Sequence, residues 1–311
     1  MDVHLRDLRY FVAVAEELNF TRAARRLHLS QPALSKQIQA LETALHAQLL
    51  QRNRRQVELT AAGNALLASA RPLLGSWDGI TATVAEAAAR DARVLRVGTL
   101  TSIGRALYPG VVDRFAARQP GWRVELRSFG WGDPTAGLRD RVTDAAFLWL
   151  PIDADDVSYE ILVTEPRVLA LSTKHPLAGR PSVTFADIAD EPLLALPESA
   201  GPLRDFWLAT DQRGGQPPKI AAEVTTADET YEIVAAGAAA HLMAEGNAAI
   251  YARPGITWVP VDGLDPAHLS IAWRRDDERA PVKAFVQACL DAVAHPHPST
   301  LSDQPPETGA G

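Results

Sequence analysis

The sequence predicts a mixed fold: a small helical head, one long helix, and a larger α/β domain in two lobes. Three observations indicate it. Apolar residues recur every three or four positions through the first 45 residues, a second such seam covers residues 66–84, and from residue 94 short apolar runs alternate with helical patterns. At 311 residues the chain is long enough for two or three domains, each with its own core.

Composition excludes several classes of protein. Hydrophobic residues make up 47% and charged residues 22%, as in ordinary globular proteins, and no run approaches the roughly 18 apolar residues that span a bilayer. Residues 1–7 lack the order of a signal peptide. The one cysteine, Cys289, lies in an apolar helical pattern and is expected to be an inert core residue, which fits a reducing compartment. We therefore expect a cytoplasmic protein without a membrane segment.

The net charge of −7 hides an asymmetry along the chain. Residues 1–60 contain nine Lys or Arg and six Asp or Glu, a balance of +3, so the remaining 251 residues carry −10. A basic head is thus joined to an acidic body.

Three helices are predicted in the head. The first carries an apolar stripe from Leu5 to Leu18. Thr21 is the expected N-cap of a short second helix and Ser30 that of a third, which has Pro32 in its first turn, where a missing N–H is harmless. The third helix places Leu34, Ile38, Leu41 and Leu45 on one face and Pro32, Ser35, Lys36 and Gln39 on the opposite face.

Two helices joined by a tight connection, the second with a polar outer face, form a helix-turn-helix whose second helix can enter the DNA major groove. A generic three-helix bundle with a solvated face would show the same spacing. Residues 49–60 predict a short hairpin with Arg52, Arg54 and Arg55 at its tip, where guanidinium groups can grip phosphates or enter a minor groove.

Several separated blocks of the head resemble the LysR-type transcriptional regulators in order and spacing. They are Phe11–Glu16, Phe20–Ala24, Leu29–Ile38, Leu41-Glu42 and Val57–Gly63, without a gap over about 63 residues. The chain departs from the family at His46, where a glycine usually ends the recognition helix. We expect either that His46 adopts a left-handed or strained C-cap or that the helix ends differently.

The resemblance implies a winged helix-turn-helix over residues 1–60 that binds double-stranded promoter DNA, in a regulator that assembles as a homodimer or homotetramer. From this resemblance and from the chemistry of base edges and phosphates, the residues expected to contact DNA are Thr21, Ser30, Gln31, Pro32, Ser35, Lys36, Gln39, Arg52, Arg54 and Arg55.

Residues 61–90 are predicted to form the linker helix through which the family dimerises. Apolar residues at alternating spacings of four and three, typical of a coiled-coil seam, are Leu66, Ala70, Leu73, Trp77, Ile80 and Val84. Pro72 lies inside this helix and is expected to kink it or to interrupt one backbone hydrogen bond.

From residue 94 the alternation of strands and helices predicts parallel βαβ units with helices on both faces. Strands are expected at 94–98, 122–129, 144–150, 168–172, 193–196, 220–224, 239–243, 257–261 and 269–274, and helices at 103–118, 135–142, 227–236 and 281–294. This order is similar to the two-lobed, periplasmic-binding-protein-like effector domain of the LysR family.

Domain boundaries follow from this order. The effector-binding domain is predicted over residues 91–294, with lobe I at about 91–163 and 269–294 and lobe II at about 164–268, and the polar, proline-rich residues 295–311 are predicted to form a disordered tail. His295 and His297 lack a third ligand nearby, so no metal site is predicted.

Ligands of α/β sheets bind beyond the carboxyl ends of strands, where helix N-termini can hold an anion. Residues at or near these ends are Thr99, Thr101, Ser102, Ser128, Trp131, Trp149, Glu198, Ser199 and Thr226, of which the last three lie in two segments that match where the family places inducer contacts. The hydroxyls can equally be plain helix caps, Trp131 can be a pocket wall or local packing, and Trp149 can face the pocket or the core. His241 is expected to be a satisfied buried histidine. Such a wall suits a small carboxylate or aromatic, with one anionic end and a flat or apolar body.

The sequence has no Ser-His-Asp order at a strained elbow, no P-loop and no recognisable pair of catalytic carboxylates, so neither catalysis nor a cofactor is predicted. The expected function is that of a LysR-type regulator whose small-molecule effector binds between two lobes. The rival is an α/β solute-binding protein or enzyme with an unrelated helical head. DNA retention at low salt that depends on residues 1–60 would exclude this rival.

Overall fold

The computed structural model describes residues 3–52, 57–103 and 107–295, with the side chain of Arg52 excepted. The chain forms two compact units, Met1–Val84 and Ala85–Gly311. The first contains α1 (Leu5–Glu17), α2 (Phe20–Arg26), α3 (Gln31–Leu45), β1 (Leu50–Arg52), β2 (Val57–Leu59) and most of α4 (Ala61–Asp91).

The core of the first unit lies between α1, α2 and α3. Phe11 and Val14 of α1 are fully buried, as are Leu34 and Ile38 on the predicted inner face of α3. Burying these stripes supplies most of the free energy that holds short helices together, because such helices are marginal in isolation.

The N-caps of the head helices decide where each helix begins. The prediction that Thr21 caps α2 is wrong: α2 begins at Phe20, and Asn19 Oδ1 accepts hydrogen bonds from the backbone N–H groups of Thr21 (2.9 Å) and Arg22 (3.0 Å). An asparagine oxygen thereby satisfies two donors that the first turn leaves free. Ser30 caps α3 as predicted, its Oγ accepting from the N–H of Ala33 at 3.4 Å.

The end of α3 is fastened to the hairpin that follows it. His46 takes the expected left-handed conformation, with φ 50° and ψ 34°. Glu42 Oε1 accepts from the N–H groups of Leu49 (2.8 Å) and Leu50 (3.1 Å), so one carboxylate of α3 holds the first strand of the antiparallel pair β1–β2. Gly63 in α4 lies against the same junction, where an added Cβ would stand 2.1 Å from Leu49 O.

Helix α4 runs without a break through Pro72. The predicted seam is wrong as a single surface, because Ala70 is buried against Leu8 of α1 together with Leu74, which was outside the predicted set. The helix presents a separate apolar face to solvent, with exposed fractions of 50% for Leu73, 42% for Trp77, 55% for Ile80 and 65% for Val84. Leu66 is half-buried against the same cluster, so the predicted seam divides between a side of the helix that packs on α1 and a side that faces solvent.

The second unit contains, in chain order, β3 (Val94–Thr99), α5 (Leu107–Arg118), β4 (Arg123–Ser128), β5 (Ala145–Leu150), β6 (Val157–Glu165), β7 (Arg167–Ser172), β8 (Val183–Thr184), α6 (Phe185–Ile188), β9 (Leu193–Ala195), α7 (Pro202–Trp207), β10 (Ile220–Glu223), α8 (Ala227–Ala235), β11 (His241–Ala244), α9 (Asn247–Ile250), β12 (Ile256–Asp262), β13 (Ala267–Arg274) and α10 (Ala280–Ala294). Two short 3-10 helices cover Glu198–Ala200 and Thr210–Arg213.

These strands form two lobes. The first lobe has a five-stranded sheet in the order β4-β3-β5-β13-β6; the second has a four-stranded sheet, β11-β7-β12-β8, and the pair β10-β9. The chain crosses from the first lobe to the second after β6 and returns before β13. Helices α5 and α10 pack together on the first sheet, where the rings of Phe115 and Phe285 meet edge to face at 5.5 Å.

Parallel pairing is only part of the arrangement. Strand β3 pairs parallel with β4 and β5, but β13 is antiparallel to β5 and β6, and β7 is antiparallel to β11 and β12. The predicted parallel pairing is therefore incomplete, because β7, the first strand after the chain enters the second lobe, and β13, the first after it returns, run antiparallel to their neighbours. Strand β6 is absent from the sequence-based prediction.

The predicted helix at 135–142 is also wrong, since these residues form turns. Ala136 and Gly137 both have positive φ, at 47° and 83°. The Asp133 carboxylate accepts from the N–H groups of Thr135 (3.0 Å) and Gly137 (2.7 Å) and so holds a turn whose positive φ values a right-handed helix does not allow.

A buried carboxylate joins distant parts of the first lobe. Asp144 accepts from the backbone N–H of Arg96 (2.8 Å) and from guanidinium nitrogens of Arg96 (3.0 Å) and Arg279 (2.8 Å). Burial alone would raise the pKa of Asp144, but these hydrogen bonds outweigh it and hold the pKa below its usual value. Glu86, near the end of α4, lies 3.4 Å from Arg279 and 3.8 Å from Arg274.

The close approach at Gly63 gives a stability prediction. Gly63→Ala should lower the free energy of unfolding of the full chain by about 1–3 kcal/mol, because the new methyl overlaps a backbone carbonyl rather than a movable side chain. The matched control is Gly75→Ala in the same helix, where nothing lies within 4 Å and alanine should stabilise by up to about 1 kcal/mol. Urea unfolding of both variants tests this, and equal effects at the two sites would contradict it.

Candidate functional site

The exposed face of α3 carries the polar residues predicted there. Gln31, Pro32, Lys36 and Gln39 are exposed and Ser35 is half-buried. Helix α2 precedes α3 by a four-residue turn, so the two helices have the connectivity of a helix-turn-helix. The structure thus presents a polar helix on the surface of the first unit.

Other predicted DNA contacts surround that helix in sequence. Thr21 is exposed in the first turn of α2, and the hydroxyl of Ser30 is engaged as the cap of α3. The backbone of Arg52 belongs to β1, whereas Arg54 and Arg55 lie outside the described residues. Their roles stay predictions.

Much of the basic charge on α2 is already paired. Arg22 lies 3.0 Å from Glu17, and Arg26 lies 2.8 Å from Glu16. In the part of the chain that the structure describes, neither Arg25 nor Lys36 forms an ion pair. Arg25 is not among the residues that the sequence predicts as DNA contacts. It is a candidate contact because it is an exposed cation on α2, the helix that precedes α3. Unpaired exposed cations are suited to bind phosphates.

A second candidate site is a small cavity where the two lobes meet. Its volume is about 10 Å³, room for about one water molecule. The first lobe and the segments beside it contribute Thr101, Trp131 and Trp149, and the second lobe contributes Leu196, Trp207, Tyr231, His241, Met243 and Asn247. Three of the nine predicted effector residues are therefore brought together here.

Aromatic rings form most of this lining. The indoles of Trp149 and Trp207 meet edge to face at 6.0 Å, one from each lobe. Trp149 Nε1 donates to Thr101 Oγ1 at 3.2 Å, which fixes that indole. The Tyr231 hydroxyl donates to Met243 Sδ at 3.3 Å, and burial raises the pKa of Tyr231.

Backbone contacts hold the two lobes closed around the cavity. The N–H of Trp131 donates to Thr225 O at 2.8 Å, and the N–H of Ser102 donates to the Tyr251 hydroxyl at 3.0 Å. Gly130 permits this approach, because a Cβ there would stand 2.9 Å from Thr225 O. These contacts would have to break for the cavity to open.

Three polar atoms on the lining are buried without a hydrogen-bond partner among the described residues: Trp131 Nε1, His241 Nδ1 and Asn247 Oδ1. The expectation that His241 is fully satisfied is therefore wrong for one of its nitrogens. A buried polar atom without a partner is costly unless a water molecule or a ligand supplies one.

His241 is neutral in this setting. Burial lowers its pKa from 6.5 to about 4, and interaction with the Leu194 backbone partly opposes this. A neutral imidazole has one N–H and one lone pair, and the ring atom Nδ1 has no hydrogen-bond partner in the described chain.

Six residues predicted as effector contacts do not line the cavity. Thr99 Oγ1 donates to the Thr101 carbonyl, and the Thr226 hydroxyl caps α8 by accepting from the N–H of Glu229 at 3.3 Å. Ser102, Ser128, Glu198 and Ser199 are exposed. A position at a strand end is therefore not sufficient to place a side chain in the cavity. The hydroxyls of Thr99 and Thr226 form hydrogen bonds with the nearby backbone instead.

The residues that complete the lining have a weak signal in sequence. Asn247 follows β11, so the same strand-end rule would have reached it. Trp207, Tyr231 and Met243 lie in elements whose apolar pattern is that of ordinary core residues, and nothing local separates them from the core.

Within residues 3–52, 57–103 and 107–295, no helix combines the length and apolar character needed to span a bilayer. Over those same ranges, no group of three or more His, Cys, Asp or Glu side chains is placed to bind a metal ion.

The buried histidine predicts a loss of stability in acid. The pKa of His241 is lower in the folded state (about 4) than the ordinary value of 6.5, so below pH 6.5 the unfolded chain binds a proton that the folded chain does not. The contribution of neutral His241 to the free energy of unfolding is therefore fully present above pH 6.5. It is lost as the pH falls toward 4, by about 3 kcal/mol in all.

Thermal unfolding of the full chain between pH 7 and 4 tests this. His241→Gln should flatten part of the decline, while the control His268→Gln in β13 should keep it. Identical pH profiles for wild type and His241→Gln would contradict the assignment.

The comparisons with known proteins agree along the chain. A family model described as "Bacterial regulatory helix-turn-helix protein, lysR family" matches residues 5–64, and one described as "LysR substrate binding domain" matches residues 88–294. The chain is 34% identical to the uncharacterized HTH-type transcriptional regulator YnfL of Escherichia coli, over 90% of this chain and 95% of that one. It is 33% identical to the HTH-type transcriptional regulator AlsR of Bacillus subtilis, over 91% and 94%.

Solved structures give the same result. A full-length BenM variant is similar with a TM-score of 0.52 and 29% identity, covering 94% of this chain and 96% of that one. A full-length OxyR variant from Pseudomonas aeruginosa is similar with a TM-score of 0.51 and 26% identity, covering 94% and 100%. With both family models matched in order over a helix-turn-helix and a two-lobed α/β unit, the chain belongs to the LysR family of DNA-binding, effector-responsive transcriptional regulators.

Proposed function

We propose that the exposed face of α3 reads the operator in the DNA major groove. The observation that carries this proposal is the fixed orientation of α3, whose apolar face is buried and whose N-terminus is capped while its polar face stays exposed. A glutamine can hydrogen-bond a base edge, and a proline ring can pack on a thymine methyl. Sequence discrimination is assigned to Gln31, Pro32, Ser35, Lys36 and Gln39.

Positioning on the duplex is assigned to residues beside that face. Thr21 lies in the first turn of α2 and Ser30 caps α3, so both lie near helix N-termini, and guanidinium groups on a wing suit phosphates or a minor groove. The positioning residues proposed from the head are Thr21, Ser30, Arg52, Arg54 and Arg55. Arg25 joins them as an exposed cation without an ion-pair partner in the described chain.

The effector is proposed to bind in the cavity between the two lobes. At about 10 Å³ the cavity admits no effector as it stands, so a ligand must favour a more open arrangement of the lobes. A ligand that binds one arrangement more tightly than another shifts the population between them, and this difference is what couples an effector to promoter output. Thr101, Trp131 and Trp149 are the contacts proposed from the first lobe.

The exposed apolar face of α4 is proposed as the dimer seam. Leu73, Trp77, Ile80 and Val84 form one stripe at spacings of four, three and four. An exposed apolar stripe of this kind marks a protein contact more often than a free surface. The chain is proposed to act as a homodimer or homotetramer.

The remaining assignments follow from the family. We assign residues 1–60 to DNA binding, 61–90 to dimerisation and 91–294 to effector binding. The family consists of transcriptional regulators rather than enzymes, and we assign no reaction to this chain. Because its partner is promoter DNA, we place the regulator in the cytoplasm.

Readout by α3 predicts a sequence-dependent loss. Gln31→Ala should cost about 1–3 kcal/mol of binding free energy on an operator selected from random DNA by the wild-type protein, and little on unselected DNA. Titrations at one salt concentration measure both affinities, with Gln287→Ala on α10 as a control that should change neither. Equal losses on both DNAs would remove Gln31 from the readout.

The dimer seam predicts a change of assembly. Trp77→Ala should dissociate the oligomer at micromolar concentration, because truncation of a buried tryptophan commonly costs about 3 kcal/mol or more. Sedimentation measures the mass, and Ser76→Ala, one position away, should keep the wild-type oligomer. A Trp77→Ala protein with the wild-type mass would place the seam elsewhere.

A further inference from the structure

The lining of the cavity has a definite electrostatic character. Its described residues include three tryptophans, a tyrosine, a leucine and a methionine, together with Thr101, His241 and Asn247, and none of them is Lys, Arg, Asp or Glu. Arg253 lies over the Tyr231 ring at 5.7 Å, but it pairs with Glu232 at 2.6 Å. A bound carboxylate would therefore lose its water without gaining a cation from this wall, which is unfavourable.

The unpartnered atoms of the lining call for both a donor and an acceptor. Trp131 Nε1 carries a proton and can only donate. Asn247 Oδ1 can only accept, and His241 Nδ1 accepts in one neutral tautomer of the ring and donates in the other. A carboxylate offers acceptors alone, so it would satisfy Trp131 Nε1 but leave Asn247 Oδ1 without a donor.

The walls favour a flat ligand. Trp149 and Trp207 stand edge to face at 6.0 Å across the lobe boundary, and Tyr231 stacks on Tyr251 at 4.5 Å on the second-lobe side. Aromatic rings pack well in offset or edge-to-face arrangements against such side chains. A ring with one small polar group would cover these indoles and reach the unpartnered atoms.

We propose that the effector is an uncharged aromatic molecule whose polar group both accepts and donates hydrogen bonds, such as a carboxamide or a hydroxyl, and that it is not a carboxylate. The inference rests on the proposed effector cavity and names the class of ligand for it. It differs from the expectation of an anionic end, which depends on hydroxyls that are exposed (Ser102, Ser128 and Ser199), engaged with the backbone (Thr99 and Thr226) or already bound to the Trp149 indole (Thr101).

Three probes of nearly the same shape separate charge from hydrogen bonding. Benzamide is neutral and has both donor and acceptor, acetophenone is neutral with an acceptor alone, and benzoate is charged with acceptors alone. Calorimetry on the full-length protein at pH 7.5 should give benzamide at least a roughly tenfold lower Kd than benzoate, with acetophenone between them.

Variants of the lining locate the binding. Trp131→Phe keeps a ring and removes the N–H, so it should weaken benzamide and acetophenone alike; Asn247→Leu removes an acceptor and should narrow the advantage of benzamide over acetophenone. Trp122→Phe is the matched control, because Trp122 packs on the same core outside the cavity and should change no affinity. Circular dichroism of each variant shows whether it is folded. If one of the two cavity variants does not fold, the other alone is enough to test whether the probe binds in the cavity.

The outcomes are distinct. Benzoate binding as tightly as benzamide, and weakened by Trp131→Phe, keeps the site and overturns the class of ligand. Binding of any probe that both cavity variants leave unchanged counts against the cavity itself as the effector site. Absence of binding by all three probes overturns the inference.

Discussion

An ionised carboxylate buried at the start of β5 must be neutralised, and the way it is neutralised determines where several distant segments lie. Asp144 draws in Arg96 from β3 and Arg279 from the start of α10, while Asp277 pairs with Arg274 at the end of β13 at 3.1 Å. Glu86 brings the end of α4 into the same network. Breaking one member of such a network leaves a buried charge without a partner, which costs more than the pair contributes. The end of the long helix is thereby held to the sheet whose edge borders the effector cavity.

Local rules were enough wherever one helix and its caps decide the outcome. The inner face of α3, its Ser30 cap and the left-handed His46 could be predicted from the sequence because each depends on residues within one or two turns. The predictions failed where a second residue nearby supplies the acceptor, or where a distant element packs on the helix. Asn19 rather than Thr21 caps α2, the Asp133 carboxylate binds a turn where a helix was expected, and Ala70 packs on α1 instead of joining the solvent-facing stripe. Strand β6 was missed although its first half, Val-Ser-Tyr-Glu-Ile, alternates apolar and polar residues as a half-buried strand does.

The candidate sites show the same division. The polar face of α3 is readable from helical spacing alone, whereas the effector cavity is made by two lobes that meet only after the chain has crossed between them twice. Thr101, Trp131 and Trp149 were accessible from strand ends, but Tyr231 and His241 are more than 80 positions from them along the chain. What distinguishes these residues is an unpartnered atom or a ring facing the other lobe, and neither property exists before the lobes close.

The position of β13 has a consequence for synthesis of the chain. It lies between β5 and β6 in the first sheet, although it is the last strand to be made. A ribosome that has released residues up to β12 has delivered every strand of the second lobe and four strands of the first, with β5 and β6 lacking the strand that joins them. Domains fold as units from the N-terminus onward, and pairings distant in sequence form late. The helical head can therefore fold and bind DNA while the effector-binding unit is still incomplete. A nascent or prematurely ended chain would bind DNA without responding to the effector.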